Sequence, residues 1–179
     1  EQPPQGLAEA AALEVPQGDD KERSVCQRCE FIDYQNPKIV AGSVVLKDGK
    51  ILLCKRAIEP RKGYWTLPAG FMELGESVEE AAQREAQEEA LADIEIDRLL
   101  AVYSVPRIGQ VQVMFRAHLK GDYGVGPESQ EVKLVDWKDI PWSELAFPTV
   151  VWALTHYAET RHQDVFAPFA NPPGTAALT

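Results

Sequence analysis

The chain has 179 residues, 45% of them apolar and 26% charged, with 18 Lys and Arg set against 28 Asp and Glu for a net charge of −10. That is one domain's worth of sequence with a short appendage, and its acidity excludes a general grip on nucleic acid or anionic membrane, since both need a positive field to displace counterions. No apolar run nears the roughly 18 residues of a membrane span, and no basic-then-apolar leader opens the sequence, so a soluble, cytoplasmic protein is expected.

A segment preceding Glu1 would escape that reading. Three cysteines, Cys26, Cys29 and Cys54, are too few and odd in number for a disulfide framework, which fits a reducing compartment.

Residues 1–36 read as a tail and a loose hairpin: Glu, Gln, Ala, Pro and Gly dominate the first 24 positions, and only the ALEV run before Pro16-Gln17-Gly18-Asp19-Asp20 hints at a strand. From Lys38 the texture changes. KIVAGSVVL and KILLCKR are apolar, β-branched runs separated by Lys47-Asp48-Gly49, and Asp-Gly is a strong hairpin signal. Gly63 to Gly70 is a short extended or looped piece, interrupted by Pro68 and its glycines. Ser77 to about Leu91 reads as a helix, opened by the capping box Ser77-x-x-Glu80.

Three strand-like stretches follow, near Ile94–Val105, Gln110–Leu119 and Val132–Trp137. A last helix starts at Pro148 and runs to about Arg161, and residues 163–179 read as a second tail. The order β, β, α, β, β, β, α predicts an α/β domain over residues 37–162, a mixed sheet covered by helices on both faces.

The acidity is unevenly placed: residues 71–97 hold ten acids and one base, Arg84. On a wheel of roughly 100° per residue with Val78 as origin, Ala81, Ala82 and Ala86 define an inward face, Glu85 and Glu89 fall in its middle, and Glu88 lies at its edge. Glu80, Gln83 and Gln87 take the solvent side. A solvated acidic helix explains Glu79 and Glu80. It does not explain Glu85, Glu88 and Glu89, because inward like charges repel and lose hydration, which raises their pKa unless a counterion is present. Arg84 can neutralise one of them. Three carboxylates from one helical turn are also the hard-ligand chemistry of Mg²⁺ or Mn²⁺, and a cation there would admit a phosphate-bearing anion. The preceding residues 38–62 carry seven bases and two acids. Among those bases Arg56, Arg61 and Lys62 lie just before the Gly63–Gly70 loop and can hold phosphates, although solvated strand ends account for most such side chains.

Gly70, five residues, Glu76, seven residues, then Arg84-Glu85-Ala86-Gln87-Glu88-Glu89 resembles the signature of the Nudix hydrolases over nearly all fixed positions. The departure is Leu91, where the family pattern has Gly; an altered helix exit with retained chemistry is expected. The resemblance implies an α/β/α sandwich and Mg²⁺- or Mn²⁺-dependent hydrolysis of a nucleoside diphosphate linked to another moiety. It implies Glu85, Glu88 and Glu89 as metal ligands, with Gly70 offering its carbonyl and Arg84 orienting the carboxylates. Glu89 or the loop residue Glu131 would take the proton of the attacking water, so that Glu88, Glu89, Arg84 and Glu131 form the expected catalytic set. Arg56, Arg61, Glu73, Trp65 and Tyr34 are the expected substrate contacts; Tyr34, Tyr64, Trp65 and Phe71 can stack on an adenine or flavin, although aromatic residues near a loop are more often core.

Beyond the box, Cys26-x-x-Cys29, Tyr34-Gln35-Asn36-Pro37-Lys38, LLCKR, GYWTLPAGFMELGES and GPESQEV resemble a Nudix branch with an N-terminal zinc ribbon, which includes ADP-ribose and FAD pyrophosphatases. The resemblance implies a dinucleotide-like substrate such as FAD or ADP-ribose, AMP as a product, and a homodimer. NADH or general nucleoside-diphosphate hydrolysis and a non-catalytic nucleotide sensor are the alternatives. Zn²⁺ wants four tetrahedral ligands and Cys26 and Cys29 supply two, so a degenerate, metal-free ribbon is favoured over a site shared between subunits or one that recruits other ligands.

Overall fold

A computed structural model describes residues 11–175, and the chain divides into two compact units, one ending at Pro37 and the other beginning at Lys38. The first carries three short antiparallel strands, β1 (Ala11–Glu14), β2 (Arg23–Cys26) and β3 (Ile32–Asp33), in that order. The expected hairpin therefore gains a third strand. Its first turn is held by the Asp19 carboxylate, which accepts from the Asp20 N–H at 2.7 Å and from Arg23 Nε at 2.9 Å. The second turn places Cys26 inside and Cys29 outside, with Cys26 N–H donating to the Phe31 carbonyl at 2.8 Å. Arg23 lies over the ring of Tyr34, 5.3 Å from its centroid.

In the second unit β4 (Lys38–Lys47) and β5 (Lys50–Arg56) form the expected hairpin, with Asp48 and Gly49 both at positive φ as a type I′ turn requires. Then follow β6 (Trp65–Thr66), β7 (Ala69–Phe71), helix α1 (Val78–Ala90), β8 (Ile94–Val105), β9 (Gln110–Leu119), β10 (Ser129–Val135) and helix α2 (Pro148–Thr160). The sheet order is β10-β5-β4-β9-β8, and its one parallel pair on that path is β4 with β9. Strands β4 and β5 pair only beside their turn, at Leu46 with Ile51 and Lys47 with Lys50, and then part. The short β7 pairs with β4 and β6 with β5 in the gap so opened. That split sheet makes room for the site.

Alternation along β4 sends Ala41 and Val45 to one face and Val44 to the other. Helix α1 lies on the first face, where Ala81, Ala82, Ala86 and Ala90 have no accessible surface and let the helix sit close to the sheet. Helix α2 covers the second with Trp152, Ala153, Leu154 and Tyr157, packed on Leu53, Leu100, Tyr103 and Met114. No described helix is long and apolar enough to cross a membrane.

The segment after α2 is not a free tail. Phe169 joins the edge of β8, donating its N–H to Leu100 and accepting from Val102, both at 2.9 Å, and the Asn171 amide bonds both backbone groups of Ser104. The guanidinium groups of Arg98 and Arg116 lie 5.4 and 5.0 Å from the centroid of the Phe166 ring, and Phe169 stacks on His156 at 4.1 Å. Aromatic anchors thus cover the edge that a long terminal strand would otherwise expose.

Candidate active site

Helix α1 starts on the capping box legible in the sequence: Ser77 Oγ accepts from the Glu80 N–H at 3.2 Å and Glu80 Oε2 from the Ser77 N–H at 2.7 Å. The start fixes the helix phase. Glu85 and Glu89 face inward, 7% and 5% exposed, while the Glu88 side chain stands at the rim at 51%. Arg84 reaches across the same end. Its Nε donates to Glu76 Oε1 at 2.6 Å, one terminal nitrogen donates to Glu85 at 2.7 Å and Glu88 at 2.9 Å, and the other donates to the Phe71 carbonyl at 2.9 Å. The guanidinium holds the Glu76 carboxyl below its ordinary range. Burial raises Glu85 despite the Arg84 contact, and burial together with the charge of Glu85 raises Glu89 to about 8, although Arg56 opposes it. Glu89 Oε2 is buried without a hydrogen-bond partner.

Gly70 faces these carboxylates from β7. A Cβ there would occupy the position of the Glu85 carboxyl group, so only glycine lets the β7 backbone approach it. The carboxylates, Arg84, Arg56 and Gly70 line one part of a cleft of about 610 Å³. Elsewhere the cleft is lined by apolar side chains, among them Ile58, Val105, Ile108 and Phe147. Glu73 and Phe71 also border it.

Glu128 borders it too, and sequence reasoning overlooked it in favour of Glu131. Glu131 is not in a loop: it sits in β10 opposite Lys55, its side chain bonded to Lys133 at 2.6 Å, and it does not line the cleft. Glu128 arrives because the loop before β10 docks on the open carbonyls at the end of α1, with Gly124 N–H donating to Ala90 at 2.8 Å and Gly126 N–H to Glu89 at 3.1 Å. The Gly-Val-Gly spacing before Glu128 was the available signal. Two further expected contacts do not line the cleft: Trp65 is 6% exposed, a core side chain flanked by Lys55 and Lys133, and the Arg61 guanidinium lies over the Tyr64 ring. Tyr34 belongs to the N-terminal unit. Lys62 is exposed and outside the cleft. At the helix exit Leu91 itself takes the left-handed conformation, φ 47°, and its N–H bonds Gln87 at 3.0 Å.

Residues 37–157 match the NUDIX domain family model, and residues 8–35 match the zinc-ribbon model described as Nudix N-terminal. The chain belongs to the Nudix hydrolase family. It is similar to a NUDIX hydrolase from Nitrosomonas europaea, whose crystal structure superposes with a TM-score of 0.84 at 46% identity over 89% of this chain and 92% of that one. An ADP-ribose pyrophosphatase of Methanocaldococcus jannaschii is 37% identical over 119 residues, 64% of this chain and 69% of that protein. The NAD-capped RNA hydrolase NudC of Photorhabdus laumondii is 33% identical over 118 residues, and there the match spans 43% of the relative.

Nudix enzymes generally use divalent metals such as Mg²⁺ or Mn²⁺. Among the described residues no three carboxylate, imidazole or thiol groups already stand as a ligand set, and Arg84 bonds both Glu85 and Glu88. The donor chemistry nevertheless fits a hard cation. A buried carboxylate oxygen lacks any partner, a second buried carboxylate lies on the same helix face, and Gly70 lets the β7 backbone lie directly against that second carboxylate.

Proposed function

We propose that this Nudix chain hydrolyses the pyrophosphate of a nucleoside diphosphate linked to a second moiety, of the ADP-ribose or FAD type, and releases AMP. The unpartnered Glu89 oxygen at the wall of the cleft is the observation that carries the reading, since a buried carboxyl group without a donor stays protonated, in keeping with its raised pKa, unless a cation beside it takes up the charge of the ionised form. Glu85, Glu88, Glu89 and the Gly70 carbonyl would hold Mg²⁺ or Mn²⁺, which when bound neutralises pyrophosphate oxygens and acidifies water. Arg84 keeps Glu85 and Glu88 oriented and ties them to Glu76, and Arg56 lends a positive charge to the phosphates. Glu128 accepts the proton as the water oxygen bonds to phosphorus; the bridging P–O bond breaks and the two phosphorylated halves leave, one of them AMP. The test is to supply FAD, ADP-ribose, NADH and diadenosine polyphosphates with Mg²⁺ or Mn²⁺ and follow AMP. Release from FAD or ADP-ribose is expected, and no AMP from any of the four overturns the reading.

A further inference from the structure

Beyond the carboxylates, the cleft contains a feature that the hydrolytic chemistry does not use. Gln110 and Gln112 stand two residues apart on β9, so their side chains share the face that points into the cleft, and both line it together with Met114. Both are half-buried. Gln112 Nε2 donates to Gln110 Oε1 at 3.2 Å, and neither amide has another side-chain hydrogen bond among the described residues. The pair therefore leaves Gln112 Oε1 as an acceptor and Gln110 Nε2 as a donor without a side-chain partner among the described residues, on two residues that line the cleft. Val40, Val105 and Ile108 line the same cleft as apolar surface, suited to the faces of a flat ring.

The position along the sheet is informative. Val40 of β4 is in register with Phe71 of β7 on one side and with Gln112 of β9 on the other. Two strand spacings, about 10 Å, thus separate the β7 backbone beside the carboxylates from the amide pair. A ribose 5′-phosphate spans such a gap between a base and its phosphate.

We propose that Gln110 and Gln112 read the edge of the adenine ring of the substrate, the exocyclic amine donating to Gln112 Oε1 and a ring nitrogen accepting from Gln110 Nε2. The assignment rests on the nucleotide-hydrolase reading and names the base it prefers. A primary amide offers the donor and acceptor that adenine needs, and a good pair of such bonds discriminates by about 1–3 kcal/mol, roughly tenfold to hundredfold. Hypoxanthine has a carbonyl where adenine has its amine and would set acceptor against acceptor at Gln112 Oε1.

The experiment is calorimetric titration of the full chain with AMP and with IMP, repeated on Gln112→Leu and Gln110→Leu after thermal melts establish that each variant folds. The expected result is AMP bound at least about tenfold tighter than IMP by the unsubstituted chain, and a preference below about threefold in either variant. Equal binding of AMP and IMP, binding of neither, or a preference that survives both substitutions overturns the proposal. Turnover separates the two readings. A chain that binds AMP selectively but releases none from any substrate keeps the base assignment and loses the hydrolase reading, whereas equal cleavage of ADP-ribose and its hypoxanthine analogue does the reverse.

Discussion

Gly126→Ala tests whether the loop docked on the end of α1 is what brings Glu128 to the cleft. A Cβ at Gly126 would overlap the Glu88 carbonyl oxygen and crowd the Glu89 carbonyl carbon, both backbone atoms of a helix that cannot yield cheaply. The loop must move instead, and the bond from Gly126 N–H to the Glu89 carbonyl is lost with it. Overpacking costs about 1–3 kcal/mol and the hydrogen bond about 1 kcal/mol more. For a chain of this length the total of about 2–4 kcal/mol lowers Tm by roughly 5–15 °C. Since Glu128 lies two residues on, kcat falls with it. Gly121→Ala is the control, because a Cβ there meets nothing within 4 Å and its φ is not positive. Calorimetric melts and AMP release on the two variants decide. Equal Tm and equal kcat for Gly126→Ala and the unsubstituted chain would refute the reasoning.

Four other outcomes are expected. Glu88→Gln removes nearly all AMP release, a loss of at least about 100-fold, with an unchanged melt; surviving activity would show that the carboxylate is not a metal ligand. Glu128→Gln lowers kcat by about 10²–10⁴ and Glu131→Gln by less than twofold, and the opposite ranking would return the proton-accepting role to β10. His156 is held below its ordinary pKa by burial, its Nδ1 2.7 Å from the Tyr103 hydroxyl, so the unfolded chain binds the proton more readily. The associated stability is complete above about pH 6.5 and is lost as pH falls through the lower folded value; Tm measured across that window should slope less in His156→Gln, and identical slopes would exclude His156 as the cause. Elemental analysis of the purified chain should find well under one zinc per molecule, because Cys26 and Cys29 supply half of a tetrahedral set; stoichiometric zinc would mean that other ligands complete it.

The features legible in the sequence are those set by neighbours a few positions apart. The phase of α1 follows from Ser77 and Glu80 and from the 3.6-residue repeat, so the burial of Glu85 and Glu89 and the exposure of Gln83 and Gln87 could be read directly. The β4–β5 hairpin follows from Asp48-Gly49 in the same way. Leu91 stands where the family pattern has Gly, and there the carbonyls of Ala86 and Gln87 accept from the N–H groups of Ala92 and Leu91 and close the helix through a left-handed residue that is not glycine.

What tertiary structure decided is which distant side chains meet that helix. Glu128 rather than Glu131 borders the cleft because unpaired carbonyls of α1, some 35 residues earlier in the chain, accept from Gly124 and Gly126. Arg56 rather than Arg61 reaches it because β5 ends there, while Arg61 turns back over Tyr64. Trp65 is core because it packs in the cluster that includes Leu53, Leu67 and Leu145, and Phe169 closes the edge of β8 through backbone bonds to Leu100 and Val102 while its ring stacks on His156. The sequence by itself determined the acidic face and its family signature, since helix periodicity and capping are local. The partners of that face were fixed only by packing, because each depends on a contact between residues far apart in the chain whose register no local pattern encodes.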